Sequence, residues 1–125
     1  MVSQIDDELL QILEESVNDV TYKVDLDDKI TYMSPTVKEM FGYEPEELVG
    51  VSIRSILTPE AYQKQREGME KALGENRTEA DVLVLEVKKK NGEKVAVEVC
   101  ARFDKGADGQ VVGILGTAKY VKKGV

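Results

Sequence analysis

The stretch ITYMSPTVKEMFGYEPEELVG, residues 30–50, decides the fold of this chain. Its alternating apolar run ends at Ser34, and the proline that follows makes a helix start, since serine caps a first turn and proline fits inside it. Gly42 is a typical left-handed helix end, and Pro45 and Gly50 bound a further short turn. The spacing therefore predicts a row of very short helices.

The segments that flank this stretch alternate with a period of two, which is typical of strands. Residues 21–33 predict two short strands around an Asp-Asp turn, and residues 80–104 predict a hairpin whose turn is Asn91-Gly92. A further strand follows Asp108-Gly109. Because strands and helices are segregated along the chain, the sequence predicts an α+β fold in which helices back an antiparallel sheet.

A longer helix is predicted between the short helices and the hairpin. Thr58 precedes a proline, which repeats the cap-and-proline signal, and the helical pattern runs to about Gly74.

The N-terminal residues 1–20 predict an amphipathic helix with acidic residues on its polar positions. The face of the sheet turned away from the short helices also carries apolar residues, so something must cover it. The N-terminal helix can pack on its own domain or on a second copy, and the residues leave both arrangements open. The candidate dimer-interface residues are Ile5, Leu9, Ile12, Leu13, Val17 and Leu115.

Length, charge and composition exclude several classes of protein. The chain has 125 residues, which fits one domain, and 17 basic against 24 acidic residues give a net charge of −7. This charge disfavours nucleic acid and anionic membrane surfaces as partners. No apolar run approaches the about 20 residues of a membrane span. The single Cys100 and an acidic N-terminus without a secretory signal favour the cytoplasm.

The sequence does not predict an enzyme. Its paired acids, such as Asp27-Asp28 and Glu46-Glu47, lie in turns or helix starts, where structure alone explains them. There is no Cys/His pair because histidine is absent, and no phosphate-binding glycine loop or nucleophile motif occurs.

Three segments, in this order, resemble a PAS domain. DLDDKITYMSPTVKEMFGYEPEELVG at residues 25–50 resembles the opening of the family, KKKNGEKVAVEV at 88–99 its later hairpin, and DGQVVGILGTA at 108–118 its last strand. The resemblance covers residues 21–121 and leaves residues 122–125 as a tail or the start of a linker. The residues that match the opening pattern are Asp25, Ile30, Tyr32, Ser34, Gly42, Tyr43, Glu46, Glu47, Leu48 and Gly50.

The resemblance implies a five-stranded antiparallel sheet with short helices arched over one face to close a small cup. It also implies a sensory domain of a prokaryotic signal-transduction protein, such as a histidine kinase of a two-component system or a cyclic-nucleotide enzyme. We expect a homodimer that works with an attached or separate output domain. The alternative is a ligand-free module for protein–protein interaction and dimerisation. Tyr120 stands where the family usually has an acid, so the outgoing chain is expected to be connected differently.

Cofactors known in PAS domains need residues that this chain lacks. Haem is disfavoured because there is no histidine. Flavin is disfavoured because Ile53 stands where the photoreactive cysteine would be. The positions whose amides would hold a flavin ring correspond to the apolar residues Val87, Val97 and Ala118. No metal site is expected.

The remaining hypothesis for the cup is an apolar pocket for a small molecule or a fatty acid, and the alternative is a filled core with no cavity. Ser34, Ser52 and Arg54 are the polar candidates for orienting such a ligand, since an arginine can pair with a carboxylate. The expected pocket residues are Tyr22, Val24, Ile30, Tyr32, Val37, Met40, Phe41, Ile53, Ile56, Leu57, Leu85, Val87, Val97, Val99, Ile114 and Ala118.

Overall fold

Five antiparallel strands form one sheet in the computed structural model, which describes residues 19–121. The order across the sheet is β2-β1-β5-β4-β3, so the first and last strands lie side by side in the middle. This confirms the predicted α+β fold with a five-stranded antiparallel sheet. The predicted N-terminal helix lies outside the described residues. The strands are β1 (Val20–Asp25), β2 (Ile30–Met33), β3 (Leu83–Lys88), β4 (Lys94–Lys105) and β5 (Val111–Tyr120).

Short helices connect β2 to β3, as the proline and glycine spacing predicts. Gly42 ends the first of them with a φ of 87°, and Thr58 Oγ1 accepts a hydrogen bond from the Ala61 N–H at the start of the last. Among the described residues, none of the helices has the length and apolarity needed to cross a bilayer. The helices are α1 (Thr36–Phe41), α2 (Pro45–Leu48), a 3₁₀ helix (Ile53–Ser55) and α3 (Pro59–Gly74).

Ser34 does not cap helix α1, which corrects the role that its place before a proline predicts. Its Oγ accepts a hydrogen bond from the Thr21 N–H at 2.9 Å and lies 2.7 Å from Thr36 Oγ1. The Thr36 hydroxyl donates to the Asp19 carbonyl at 2.7 Å, so the Ser34 hydroxyl is the donor to Thr36. Ser34 is buried and joins β1 to the start of α1.

The pairing of β1 with β2 contains a register shift between Lys23 and Val24. Tyr22 pairs with Met33, while Val24 pairs with Ile30, so Ile30 and Met33 both face the helices. Strict alternation predicted that Tyr32 would face the cup together with Ile30. The shift overturns this prediction, because Tyr32 pairs with Lys23 and lies on the outer face of the sheet.

The corner between α1 and α2 is fastened to the β3–β4 hairpin. The Tyr43 hydroxyl donates to the Lys88 carbonyl at 2.9 Å, and the Lys90 N–H donates to the Phe41 carbonyl at 2.9 Å. The Lys90 ammonium donates to Glu47 Oε1 at 2.8 Å. This hydrogen bond lowers the pKa of the Glu47 carboxyl. Tyr43 and Glu47 of the opening stretch therefore hold the short helices to the β3–β4 hairpin.

Candidate functional site

A small, partly open cavity of about 30 Å³ lies between the helices and the inner face of the sheet. A volume of this size holds one or two water molecules, so a larger ligand requires the cup to expand. Apolar side chains from both layers supply nearly all of its wall. The lining residues are Val20, Tyr22, Met33, Phe41, Ile53, Ile56, Leu57, Gln65, Val87, Val97, Val99 and Ala118.

Fourteen of the sixteen expected pocket residues fall into two groups. Of the other two, Tyr32 lies on the outer face of the sheet, and Ile114 is half-buried and lines a cleft beside α3 instead of the cavity. Those that line the cavity are Tyr22, Phe41, Ile53, Ile56, Leu57, Val87, Val97, Val99 and Ala118. Those that are buried in the surrounding core without lining it are Val24, Ile30, Val37, Met40 and Leu85.

Sequence reasoning missed Val20, Met33 and Gln65 as lining residues. Val20 was assigned to the preceding helix, and Met33 reaches the cavity only because of the register shift. Gln65 is polar, but it lies one helical turn from Met69 on the buried side of α3.

None of the three predicted polar ligand contacts lines the cavity. The Ser34 hydroxyl hydrogen-bonds with Thr21 and Thr36 and so connects β1 to α1. The Ser52 Oγ accepts a hydrogen bond from the Arg54 N–H at 3.2 Å and caps the 3₁₀ helix. The Arg54 guanidinium lies 4.6 Å from the centre of the Tyr62 ring, where it makes a cation–π contact. These contacts do not support the prediction that Ser34, Ser52 and Arg54 orient a ligand.

Tyr22 and Gln65 are the polar residues around the cavity, but their polar atoms supply almost none of its wall. Tyr22 is 5% exposed and Gln65 is 7% exposed. Burial raises the pKa of Tyr22 well above its usual value, so its hydroxyl stays protonated and can act as a donor. The ring lies over Gly116, where an added Cβ would be 2.5 Å from Tyr22 Cζ.

A surface cleft of about 250 Å³ lies beside α3 and shares Gln65 with the cavity. At its rim the Tyr62 hydroxyl donates to Asp28 Oδ2 at 2.6 Å, and the Arg66 guanidinium pairs with Glu70 at 3.6 Å. The residues lining the cleft are Leu26, Asp28, Tyr62, Gln65, Arg66, Met69, Glu70 and Ile114.

The end of β5 is attached to the wall of the cavity through Tyr120. Its hydroxyl donates a hydrogen bond to the Met40 carbonyl, and its ring meets the Phe41 ring edge to face with 6.3 Å between centroids. Phe41 lines the cavity. A displacement of Phe41 would therefore change its contact with Tyr120 at the end of β5.

Tyr120→Phe tests this attachment because it removes the hydroxyl and keeps the ring contact. We expect the free energy of unfolding to fall by about 0.5–1.5 kcal/mol, the usual net value of one hydrogen bond. Urea denaturation measures the loss. Tyr32→Phe is the matched control, because that ring lies on the outer face. An equal loss in both variants would contradict the assigned contact.

The outer face of the sheet is partly apolar. Val84 and Cys100 are exposed there, whereas Leu115 is buried. Thr21 is also buried on this face, and among residues 19–121 its Oγ1 has no hydrogen-bond partner. Leu115 was predicted at the dimer interface, and its burial leaves that prediction open. The other predicted interface residues lie outside the described part of the chain; they are Ile5, Leu9, Ile12, Leu13 and Val17.

Comparisons with known proteins agree with this architecture. A family model described as PAS fold matches residues 30–118. The PAS domain of a protein from Colwellia psychrerythraea superposes with a TM-score of 0.76 at 20% identity, covering 94% of this chain and 97% of that one. A structure from work on a flavin analogue and the mechanism of a light-oxygen-voltage domain gives 0.73 at 23% identity, covering 97% and 90%. No curated protein matches the chain. At these identities the solved structures show the fold alone.

Proposed function

This chain belongs to the PAS fold family, and from that premise we propose that it senses a small molecule on behalf of a signalling protein. PAS domains are generally sensory or signalling modules. The observation that carries the proposal is the apolar cavity between sheet and helices, whose wall residue Phe41 contacts Tyr120 at the end of β5. A ligand that expands the cavity would move this contact and so change the position of the outgoing chain.

The proposal includes a division of the chain into three parts. The residues that precede β1 would form a helix that covers the outer face of the sheet or meets a second copy, since β1 begins at Val20 and not after it. The residues from β1 to position 121 would sense, and residues 122–125 would lead towards an output. The exposed Val84 supports such a cover, because exposed apolar patches are typical of interaction surfaces. The output would be a histidine kinase or a cyclic-nucleotide enzyme in a prokaryotic cytoplasm, where an unpaired Cys100 is stable.

Flavin is a candidate ligand of the cavity, since one similar structure concerns a flavin analogue. Val87, Val97 and Ala118 line the cavity and offer no hydrogen bond to a ring, and Ile53 offers no thiol. Ligand pockets usually measure about 300–1,000 Å³. The described residues do not fit a flavin, and our proposal does not include one. Haem is also left out because the chain has no histidine to bind the iron.

No catalytic step is part of the proposal. Asp28 accepts the Tyr62 hydrogen bond in the β1–β2 turn, and Glu47 holds α2 to the hairpin. One acid of the pair Asp27-Asp28 and one of the pair Glu46-Glu47 therefore make a hydrogen bond or ion pair that supports the fold.

The second candidate function is a docking and dimerisation module that binds no ligand. A cavity of about 30 Å³ favours it, since many well-packed cores contain voids of this size. The exposed apolar residues of the outer face support it equally.

Native mass spectrometry of the full chain separates the two functions. We expect the purified protein to carry a stoichiometric small molecule that is lost when the same sample is sprayed under denaturing conditions. A saturating ligand should also raise stability, by about 2.7 kcal/mol at a hundredfold excess over Kd. A ligand-free dimer that no candidate molecule stabilises would support the docking module and contradict sensing.

A further inference from the structure

Two side chains are buried on the outer face of the sheet, away from the cavity. Leu115 is 7% exposed, and within residues 19–121 it does not belong to the hydrophobic core between the sheet and the helices. Thr21 is 0% exposed. The two lie diagonally across the β1–β5 pairing, in which Thr21 is opposite Thr117 and Leu115 is opposite Lys23. Residues on an uncovered sheet face stay in contact with water, so a cover must lie over this pair.

The cover reaches only part of this face. Val84 of β3 is 47% exposed, and Cys100 of β4 is exposed as well. Val82, which directly precedes β3, is 55% exposed. The buried side chains therefore lie on β1 and β5, whereas the exposed apolar ones lie on the β3 and β4 side of the sheet.

Neither the described helices nor the C-terminal tail accounts for this burial. The buried apolar residues of α1, α2 and α3 pack into the core on the opposite face. Residues 122–125 follow β5, and four residues span at most about 14 Å. Leu115 lies five positions before Tyr120, the end of β5, which is about 17 Å along the strand. The burial exists within a single chain, so a second copy does not produce it.

We infer that residues 1–18 of the same chain lie across β1 and β5 on the outer face and leave Val84 and Cys100 free. The segment directly precedes Asp19, whose carbonyl accepts a hydrogen bond from the Thr36 hydroxyl at 2.7 Å, next to the start of β1. An eighteen-residue helix measures about 27 Å, which exceeds the about 20 Å of a six-residue strand such as β1. The inference rests on the proposed function, whose cover of the outer face it assigns to the chain itself.

Charge also fits residues 1–18 to this half of the face. The segment has five acidic residues and no basic one. Lys23 of β1 and Lys119 of β5 lie on the covered side of the sheet. Their own partners, Asp104 and Glu98, are 3.7 and 4.0 Å away, so both ammonium groups can also bind acids of the segment. The apolar side of the predicted N-terminal helix would meanwhile pack on Leu115.

Thiol labelling of the full chain tests this placement. The natural thiol is removed by Cys100→Ser, and Leu115→Cys then introduces a covered thiol, whereas Val84→Cys introduces a free one. We expect the covered thiol to react with an aromatic disulfide reagent at least about tenfold more slowly than the free thiol, because a buried thiol reacts only when its cover opens. Circular dichroism checks that each variant is folded before it is labelled.

Leu9→Asp combined with Leu13→Asp should release the cover, because burying two charges against the sheet is costly. The covered thiol should then react as fast as the free one. The matched control combines Gln4→Asp with Gln11→Asp, which adds the same charge to the polar side of the same segment. This control should leave the slow labelling unchanged.

Three results would overturn the inference. Slow labelling that is lost on dilution would assign the cover to a second copy. Equal labelling of the covered and free thiols would leave the face without a cover, and slow labelling that survives Leu9→Asp with Leu13→Asp would exclude residues 1–18 as the cover. Thr21→Cys places a thiol at the other buried position and replaces Leu115→Cys if that variant fails to fold. Sensing is decided separately, by the ligand seen in native mass spectra.

Discussion

Gly113→Ala is expected to destabilise the protein by about 3 kcal/mol, at the upper end of the cost of overpacking. Gly113 lies in β5 opposite Asp25 of β1. A Cβ at this position would lie 2.0 Å from the Val24 carbonyl oxygen and 3.0 Å from the Asp25 Cα. These are backbone atoms of a central strand, so they can move only if the pairing of β1 with β5 is distorted.

Urea denaturation measures this loss, and Gly74→Ala is its control. A Cβ at Gly74 would meet nothing within 4 Å, and the residue lies at the end of helix α3. Alanine is the better helix former, so this variant should be unchanged or up to about 1 kcal/mol more stable. If Gly113→Ala unfolded at the same urea concentration as the parent chain, the close approach of β1 and β5 would be wrong.

Phe41→Ala is expected to cost about 3–5 kcal/mol, the usual range for deleting a buried phenylalanine. Phe41 is 3% exposed, lines the cavity and packs edge to face on Tyr120. The truncation enlarges the cavity and removes the ring that connects it to β5. Since the total stability of a domain is about 5–15 kcal/mol, this single change should shift the unfolding transition clearly.

Denaturation curves of Phe41→Ala and Phe41→Leu measure the effect in two steps, and the leucine variant remains informative if the alanine variant fails to fold. Leu73→Ala removes an apolar side chain that is 60% exposed, so it should change stability by less than about 0.5 kcal/mol. Similar losses in Phe41→Ala and Leu73→Ala would contradict the placement of Phe41 in the cavity wall.

Local sequence signals located most elements because each depends on residues close together in the chain. Gly42 ends α1 because glycine adopts a positive φ at little cost, and Thr58 starts α3 because its own hydroxyl reaches the next turn. The turn at Gly92 joins β3 and β4 for the same local reason. The alternation of residues along β3 and β4 also predicted correctly that Leu85 and Val97 are buried, while their neighbours in the strands face outwards.

The candidate site was predicted less completely, because it depends on residues far apart in the chain. The register shift in β1–β2 turned Tyr32 outwards and brought Met33 to the cavity. Ser34, a cap by its local sequence, is bound instead by the N–H of Thr21, thirteen positions earlier. Neither fact follows from a pattern within one segment, because both arise when separate segments compete for the same partners.

The sequence by itself determined the order of the elements, the short helices between Ser34 and Gly50, the antiparallel sheet and the family resemblance. Turn, capping and alternation rules act over a few residues, which is why the chain displays them directly. Only the tertiary structure decided which side chains surround the cavity and that the Tyr120 hydroxyl reaches the Met40 carbonyl. These contacts join residues that are far apart in the chain, so they form only when the helices pack on the sheet. Patterns within one segment do not reveal them.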